Sequence, residues 1–192
     1  MYKRQVEGKM KAIRFARENN IPFLGICLGL QASVIEFARN VCKIPEADSR
    51  EWSEHCEAPV VTYVDGQQNL VEKSGTMRLG SYECELKKDS ISHSLYKKKT
   101  ITERHRHRLE VNSEYIKNFQ EQGFIVTGIN PETNLVEIME LDKSLHNFFV
   151  GVQAHPEFKS RLLEPAPLFD GLVKAAIQFN ENLNTKAEEM QD

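Results

Sequence analysis

Residues 22 to 31 read PFLGICLGLQ. A short apolar run, 22–26, meets Cys27, which is flanked two residues away on each side by Gly25 and Gly29. The next stretch, LGLQASVIEFARNV (28–41), carries Leu30, Val34, Phe37, Ala38 and Val41 at helical spacing. The stretch before it, EGKMKAIRFARE (7–18), shows an apolar stripe of Met10, Ile13, Ala16 and Phe15, and Asn19 and Asn20 stop it. Helix, strand, tight turn, helix is the rhythm of an open α/β sheet. The cysteine itself admits two readings. It is a small buried core residue, as most cysteines are, or the glycines let the backbone turn tightly enough to hold its sulfur up as a nucleophile.

The bulk properties narrow the class. The chain has 192 residues, 40% hydrophobic and 28% charged, with a net charge of −3. That suits one soluble globular domain or part of a larger one. Nothing in the charge points to nucleic acid or to an anionic membrane. No apolar run reaches the roughly 20 residues of a membrane span, and MYKRQVEGKMK lacks the apolar core of a signal peptide. Cys27, Cys42, Cys56 and Cys84 are widely spaced, so reduced thiols in a cytoplasmic protein are expected.

The middle of the chain changes character. APVVTYV (58–64), TMRLGSYECEL (76–86) and RHRLEVN (106–112) are short apolar or alternating pieces separated by glycines and polar clusters, which predicts a β-rich region. GFIVTGI (123–129), LVEIMEL (135–141) and NFFVGVQ (147–153) predict three further strands. PLFDGLVKAAIQFNENL (167–183) predicts a closing helix with Leu168, Leu172, Ala175, Ala176 and Phe179 apolar. The polar end, residues 181–192, is expected to fray.

A thiol reacts as its thiolate, so a nucleophilic Cys27 needs activation. The dipole of the helix that starts near Leu28 favours an anion there, and a histidine can act as base. Of His55, His93, His105, His107, His146 and His155, the last has the telling context, VGVQAHPEF. It follows a predicted strand, where α/β enzymes place their chemistry, and Pro156 keeps it out of the helical region. In an extended segment His155 and Glu157 share a side. A carboxylate there can fix the imidazole tautomer and support the imidazolium. On the residues alone, a base and a surface histidine both stay open.

Together these pieces resemble a known family. GICLGLQ with a distant HPE is similar to the class I (triad) glutamine amidotransferases. EGKMKAIRFARENNIPFLGICLGLQASVIEFARNV, GTMRLG, ERHRHRLEVN and FVGVQAHPEFKSR resemble, more narrowly, the glutaminase domain of the CTP synthases, over about residues 6 to 180. The resemblance implies an open, mostly parallel, flavodoxin-like α/β sheet flanked by helices, with the first strands missing.

It also implies chemistry. Cys27 matches the nucleophile that attacks the side-chain amide of L-glutamine, forming a thioester and releasing ammonia. His155 matches the general acid/base and Glu157 its partner. Leu28 matches a backbone donor to the developing oxyanion. Gly29, Leu30 and Gln31 match substrate contacts of the same turn. Glu51, in ADSREW where the family has wording close to ANSTEF, matches the carboxylate that meets the α-ammonium of glutamine. Arg108 matches the contact to its α-carboxylate. If ERHRHR is a strand, Arg104, Arg106 and Arg108 face one side and His105 and His107 the other. Two histidines without further ligands make no zinc site, so no metal is expected in this chain. Arg78, in SGTMRLG, matches the family's lid segment, tied to activation by GTP; on the residues alone a β-turn with an exposed arginine is equally open.

The beginning departs from the family pattern. The family carries a glycine-rich loop of the form GGFGxRG directly before EGK, and one of its glycines supplies a second oxyanion donor. Here MYKRQV stands instead. The expectation is a single partial glutaminase domain over 1–192, with 1–5 a non-native start. The synthetase domain of the same polypeptide, with its ATP and Mg²⁺, is then absent, and the intact enzyme is expected to be a homotetramer without nucleic-acid or membrane partners. Loss of one oxyanion donor costs about 10²–10³ in rate, so slow or no glutamine hydrolysis is expected. The competing readings are another triad-type γ-glutamyl hydrolase and a non-catalytic fragment.

Overall fold

A computed structural model describes residues 2–63 and 77–189. Helix α1 (Tyr2–Glu18) leads into strand β1 (Phe23–Ile26) and helix α2 (Leu28–Asn40). Strands β2 (Ala47–Ser49) and β3 (Ala58–Tyr63) follow, then β4 (Arg78–Leu86), helix α3 (Ile91–Tyr96), β5 (Thr100–His107) and β6 (Leu109–Val111). Helix α4 (Ile116–Glu121), β7 (Phe124–Ile129), β8 (Val136–Leu141), β9 (Phe149–Val152) and helix α5 (Pro167–Glu189) complete the chain.

The described strands form a six-stranded sheet in the order β1-β9-β8-β7-β4-β5 and a three-stranded sheet in the order β2-β3-β6. The α/β class is as expected. The mostly parallel pairing is not: in the larger sheet only β1 and β9 run parallel, and the remaining neighbours are antiparallel. The physical reason is the connections. Tight links such as β7 to β8 can only fold back, whereas parallel neighbours need a long crossover.

Side chains alternate across the larger sheet and feed a core on each face. Phe149 joins the cluster under α1 and α2, which also takes Ala47, Val60, Val61, Leu109 and Val111 of the smaller sheet. Val150 and Val152 join the opposite cluster with Ile91 of α3 and Leu168 of α5. Helix α1 buries Val6, Met10 and Ile13, spaced four and three residues apart, whereas Phe15, expected in that stripe, is exposed. A bidentate ion pair clamps α1 to α2: Arg17 Nε and Nη2 donate to the two oxygens of the buried Glu36 at 2.9 and 2.8 Å.

Helix α5 runs into the segment expected to fray, 181–192, as far as Glu189. Two further expectations change. The single strand expected over 106–112 is split at Arg108, where the chain leaves the larger sheet and enters the smaller one. The segment 76–86 becomes strand from Arg78 only, and Gly75, Thr76 and Val64 lie outside the described residues.

Candidate active site

The site begins where β1 ends. Cys27 has φ 51° and ψ −101°, a left-handed conformation that costs a non-glycine residue about 1–3 kcal/mol and is tolerated where the surroundings impose it. The surroundings here are plain. Its N–H donates to Val152 O at 2.7 Å, which extends the parallel ladder by one step, and its C=O accepts from Gln31 N at 3.2 Å, which opens α2. The strand and the helix then approach so closely that a Cβ on Gly25 would stand 2.7 Å from Gly29 C. Gly29 differs: a Cβ there would meet nothing within 4 Å. Of the two glycines, one is required by packing and the other faces open space. The positive φ that the turn needs falls on the cysteine itself.

The register β1–β9 pairs Ile26 with Val152. Both strands therefore end together, and the residues just beyond them, Cys27 on one side and 153–155 on the other, emerge at the same edge. His155 follows with ψ 82°, outside the helical region as Pro156 requires, and its N–H donates to Arg104 O at 2.8 Å. Residues Pro156–Phe158 form a single turn of 3₁₀ helix. Glu157 thus reaches the imidazole from a turn, and not from an extended segment as the spacing suggested. The contact is short: His155 Nδ1 and Glu157 Oε1 are 2.6 Å apart. The Phe158 ring stacks on the imidazole at 5.1 Å. The other ring nitrogen, Nε2, is buried and has no hydrogen-bond partner. An imidazole fixed at Nδ1 by a carboxylate, with Nε2 unengaged, is arranged to take a proton there.

The sulfur is not a ready thiolate. Burial pushes the Cys27 thiol up to about 11, the Leu28 N–H works against that, and the charges of Glu51, Glu110 and Glu157 add to the rise. The helix end does help the anion, as expected, but desolvation outweighs it. The resting sulfur is protonated at neutral pH, and a base must take its proton when substrate arrives.

Glu51 lies within electrostatic reach of both this sulfur and Arg108. Burial raises the Glu51 carboxyl and the nearby Arg108 guanidinium lowers it. Arg108 sits at the bend between the two sheets, half-buried, with Nε shielded and unpartnered. It therefore does not share the exposed face of Arg104 and Arg106; that departure follows from the split of the strand. His105 and His107 do point inward, as alternation predicts.

Arg78 is 9% exposed at the start of a strand, and so is not an exposed turn arginine. Its Nη1 donates to Glu110 Oε1 at 3.0 Å and its Nη2 to Glu137 Oε1 at 2.7 Å, with the Tyr82 ring 4.5 Å beneath the guanidinium. His105 and His107 complete this buried cluster, their Nδ1 and Nε2 2.9 Å apart. Two carboxylates facing one arginine leave a surplus of negative charge, so burial raises both carboxyls, Glu110 to about 8. Burial and Arg78 hold both histidines down to about 3. Among the described residues no group of three or more His, Cys, Asp or Glu could hold a metal ion, and no helix is long and apolar enough to cross a membrane.

Two residues expected at the substrate, Leu30 and Gln31, have buried side chains. The Leu30 side chain is fully buried against Gly151. Gln31 is 3% exposed, and its Nε2 donates to Leu109 O at 3.0 Å and to Gln153 Oε1 at 3.2 Å. Sequence reasoning does not single out Gln153, Glu110 or Glu137. Only Gln153 carries a signal there: it lies two residues before His155, in step with the strand alternation.

Residues 1–175 match the family described as glutamine amidotransferase class-I. Among curated proteins, the chain is 53% identical over 176 residues to a CTP synthase of Cytophaga hutchinsonii and 52% identical over 174 residues to one of Methanococcus aeolicus. These alignments cover 92% and 91% of this chain and 32% of each relative. The chain thus spans about a third of the length of those relatives. Among solved structures it resembles the Trypanosoma brucei CTPS glutaminase domain with bound acivicin, at 36% identity and TM-score 0.84, covering 90% of this chain and 66% of that one. A GMP synthase component from Thermoplasma acidophilum, 14% identical with TM-score 0.58, covers 95% of this chain and 70% of that one and shares the fold. The chain belongs to the class I glutamine amidotransferases.

Proposed function

We propose that this class I glutamine amidotransferase is the glutaminase part of a CTP synthase, and that it hydrolyses L-glutamine through a thioester on Cys27. The observation that carries the reading is the strained Cys27 at the end of β1, at the same sheet edge as a His155 whose Nδ1 is held by Glu157 and whose Nε2 is unengaged. Glu51 and Arg108 suit the head of an amino acid. A carboxylate meets an α-ammonium and a guanidinium meets an α-carboxylate, and a bound glutamine would give each the opposite charge it faces.

The chemistry follows from the site. His155 takes the Cys27 proton at Nε2 as the sulfur attacks the amide carbon. In this reading the Leu28 N–H, which faces the resting sulfur, receives the developing oxyanion. Collapse returns the proton to the leaving nitrogen, and ammonia departs. Water, deprotonated by the same imidazole, then cleaves the thioester and releases glutamate. Glu157 supports the imidazolium in both halves.

As part of such an enzyme, the ammonia serves the ATP-dependent, Mg²⁺-requiring amination of UTP to CTP by the synthetase portion of the longer polypeptide. GTP as activator, a homotetramer and a cytoplasmic location belong to the same reading. The 53% identity to a CTP synthase supports it over another γ-glutamyl hydrolase. The direct test uses acivicin, the molecule bound in the trypanosomal domain. A stoichiometric adduct mapped to Cys27, slowed by L-glutamine and not by D-glutamine, is expected. A folded protein that forms no adduct overturns the reading.

A further inference from the structure

Gln153 is fully buried, yet its amide lies beside the reacting atom: Nε2 is 3.7 Å from Cys27 Sγ. An amide can present either end, so what fixes it decides its effect. The backbone fixes it. Leu109 O can only accept, so Gln31 must offer it Nε2. The same nitrogen donates to Gln153 Oε1, which leaves Gln153 only its N–H₂ to turn toward the sulfur. The relay runs from a carbonyl of the smaller sheet, through the first turn of α2, to the end of β9. Both glutamines are shielded from water, at 3% and 0% exposure, so no solvent competes for these bonds.

We propose that Gln153 is a hydrogen-bond donor to the Cys27 sulfur, that it favours the thiolate over the thiol, and that Gln31 is the positioning residue that keeps it turned that way. The proposal rests on Cys27 being the nucleophile and goes beyond the cysteine, histidine and glutamate that read as the triad. An N–H aimed at sulfur gains most when the sulfur is charged, because hydrogen bonds to ions are roughly twice as strong as neutral ones. That condition arises twice. It arises as His155 withdraws the proton, and again when water attacks the thioester and the sulfur leaves. The Leu28 N–H serves the sulfur only until the oxyanion forms. Gln153 comes from the opposite strand and has no such second duty.

The test is the reactivity of Cys27 toward iodoacetamide, which carries no amino-acid head and needs no glutamine subsite. In Gln153→Met the alkylation rate at pH 8 is expected to fall about tenfold, with the thiolate absorbance near 240 nm appearing at higher pH. Gln31→Met keeps the donor but frees it to rotate, and a smaller fall is expected. Wild-type rates in both folded variants overturn the proposal. Should Gln153→Met fail to fold, the wild-type protein decides the matter. The Gln153 side-chain amide resonances are expected to shift with the same midpoint as the thiolate absorbance, and resonances that stay still through that transition overturn it. A wild-type Cys27 that neither alkylates nor takes acivicin overturns the nucleophile reading, and this proposal with it. Acivicin labelling with no dependence on Gln153 overturns this proposal alone.

Discussion

Gly25 and Gly29 approach so closely that a β-carbon on the first would stand 2.7 Å from the carbonyl carbon of the second. The contact is backbone against side chain, so no rotamer can relieve it. Gly25→Ala is expected to destabilise the protein by about 1–3 kcal/mol, as overpacking a closed site does. Gly29→Ala meets open space and is expected to stay within about 0.5 kcal/mol of wild type. Urea denaturation followed by circular dichroism distinguishes them, and equal stabilities would contradict the account of the turn.

Glu157 acts through His155. Glu157→Gln keeps the shape but offers no charge to an imidazolium, so glutamate release and acivicin labelling are expected to slow by about 10²-fold. Because Glu157 touches the imidazole and not the glutamine head, the half-saturating glutamine concentration should change little. A rise confined to that concentration would assign Glu157 to binding instead.

Arg108 and Glu51 are expected to separate from the nucleophile in the opposite way. Arg108→Met or Glu51→Gln removes one charged partner of the amino-acid head, which is worth about 1.5–3 kcal/mol, or roughly tenfold to a hundredfold in half-saturating acivicin. Iodoacetamide, lacking that head, should alkylate Cys27 at close to the wild-type rate in Arg108→Met, and no more slowly in Glu51→Gln, which removes a negative charge that works against the thiolate. Equal slowing with both reagents would show a general disturbance of the site.

The buried cluster gives stability a pH dependence with two limbs. Glu110, near 8 when folded and 4.5 ordinarily, keeps a proton that the unfolded chain has released. Its contribution is full below pH 4.5 and is lost as pH rises through 8. His105 and His107, near 3 when folded and 6.5 ordinarily, stay neutral while the unfolded imidazoles protonate. Their contribution is present above pH 6.5 and is lost as pH falls toward 3. Glu137, raised by the same burial, adds to the alkaline limb. Urea midpoints from pH 4 to 9 should therefore fall toward both ends of the range. In Glu110→Gln, whose oxygen can still accept from Arg78, the alkaline limb is expected to flatten and the acid limb to remain. An unchanged alkaline limb would rule out Glu110 as its source.

The residues proposed to perform the chemistry were legible because their signals are local. A cysteine between glycines after an apolar run, and a histidine before a proline with a glutamate next, are each set by a few neighbours in sequence. Period-2 alternation also put His105 and His107 on the side opposite Arg104 and Arg106, and the structure shows the histidine side to be the inner one. The same local rules misplaced Arg108, because nothing within a few residues marks the bend at which the chain changes sheets. They also left an exposed turn arginine open at Arg78, because its partners Glu110 and Glu137 lie 32 and 59 residues away.

Local signals are enough to specify strand, elbow and helix around Cys27 and a later strand that stops just before His155. Hydrophobic spacing and backbone-restricting residues suffice for that. The pairing of β1 with β9, side by side and in register so that both ends open at one edge, emerges only in three dimensions. Only the fold showed that burial keeps the thiol protonated, and that two buried glutamines relay a backbone carbonyl's preference to the sulfur. Desolvation and hydrogen-bond direction depend on what surrounds an atom in space, and residues more than a hundred positions apart supply those surroundings here.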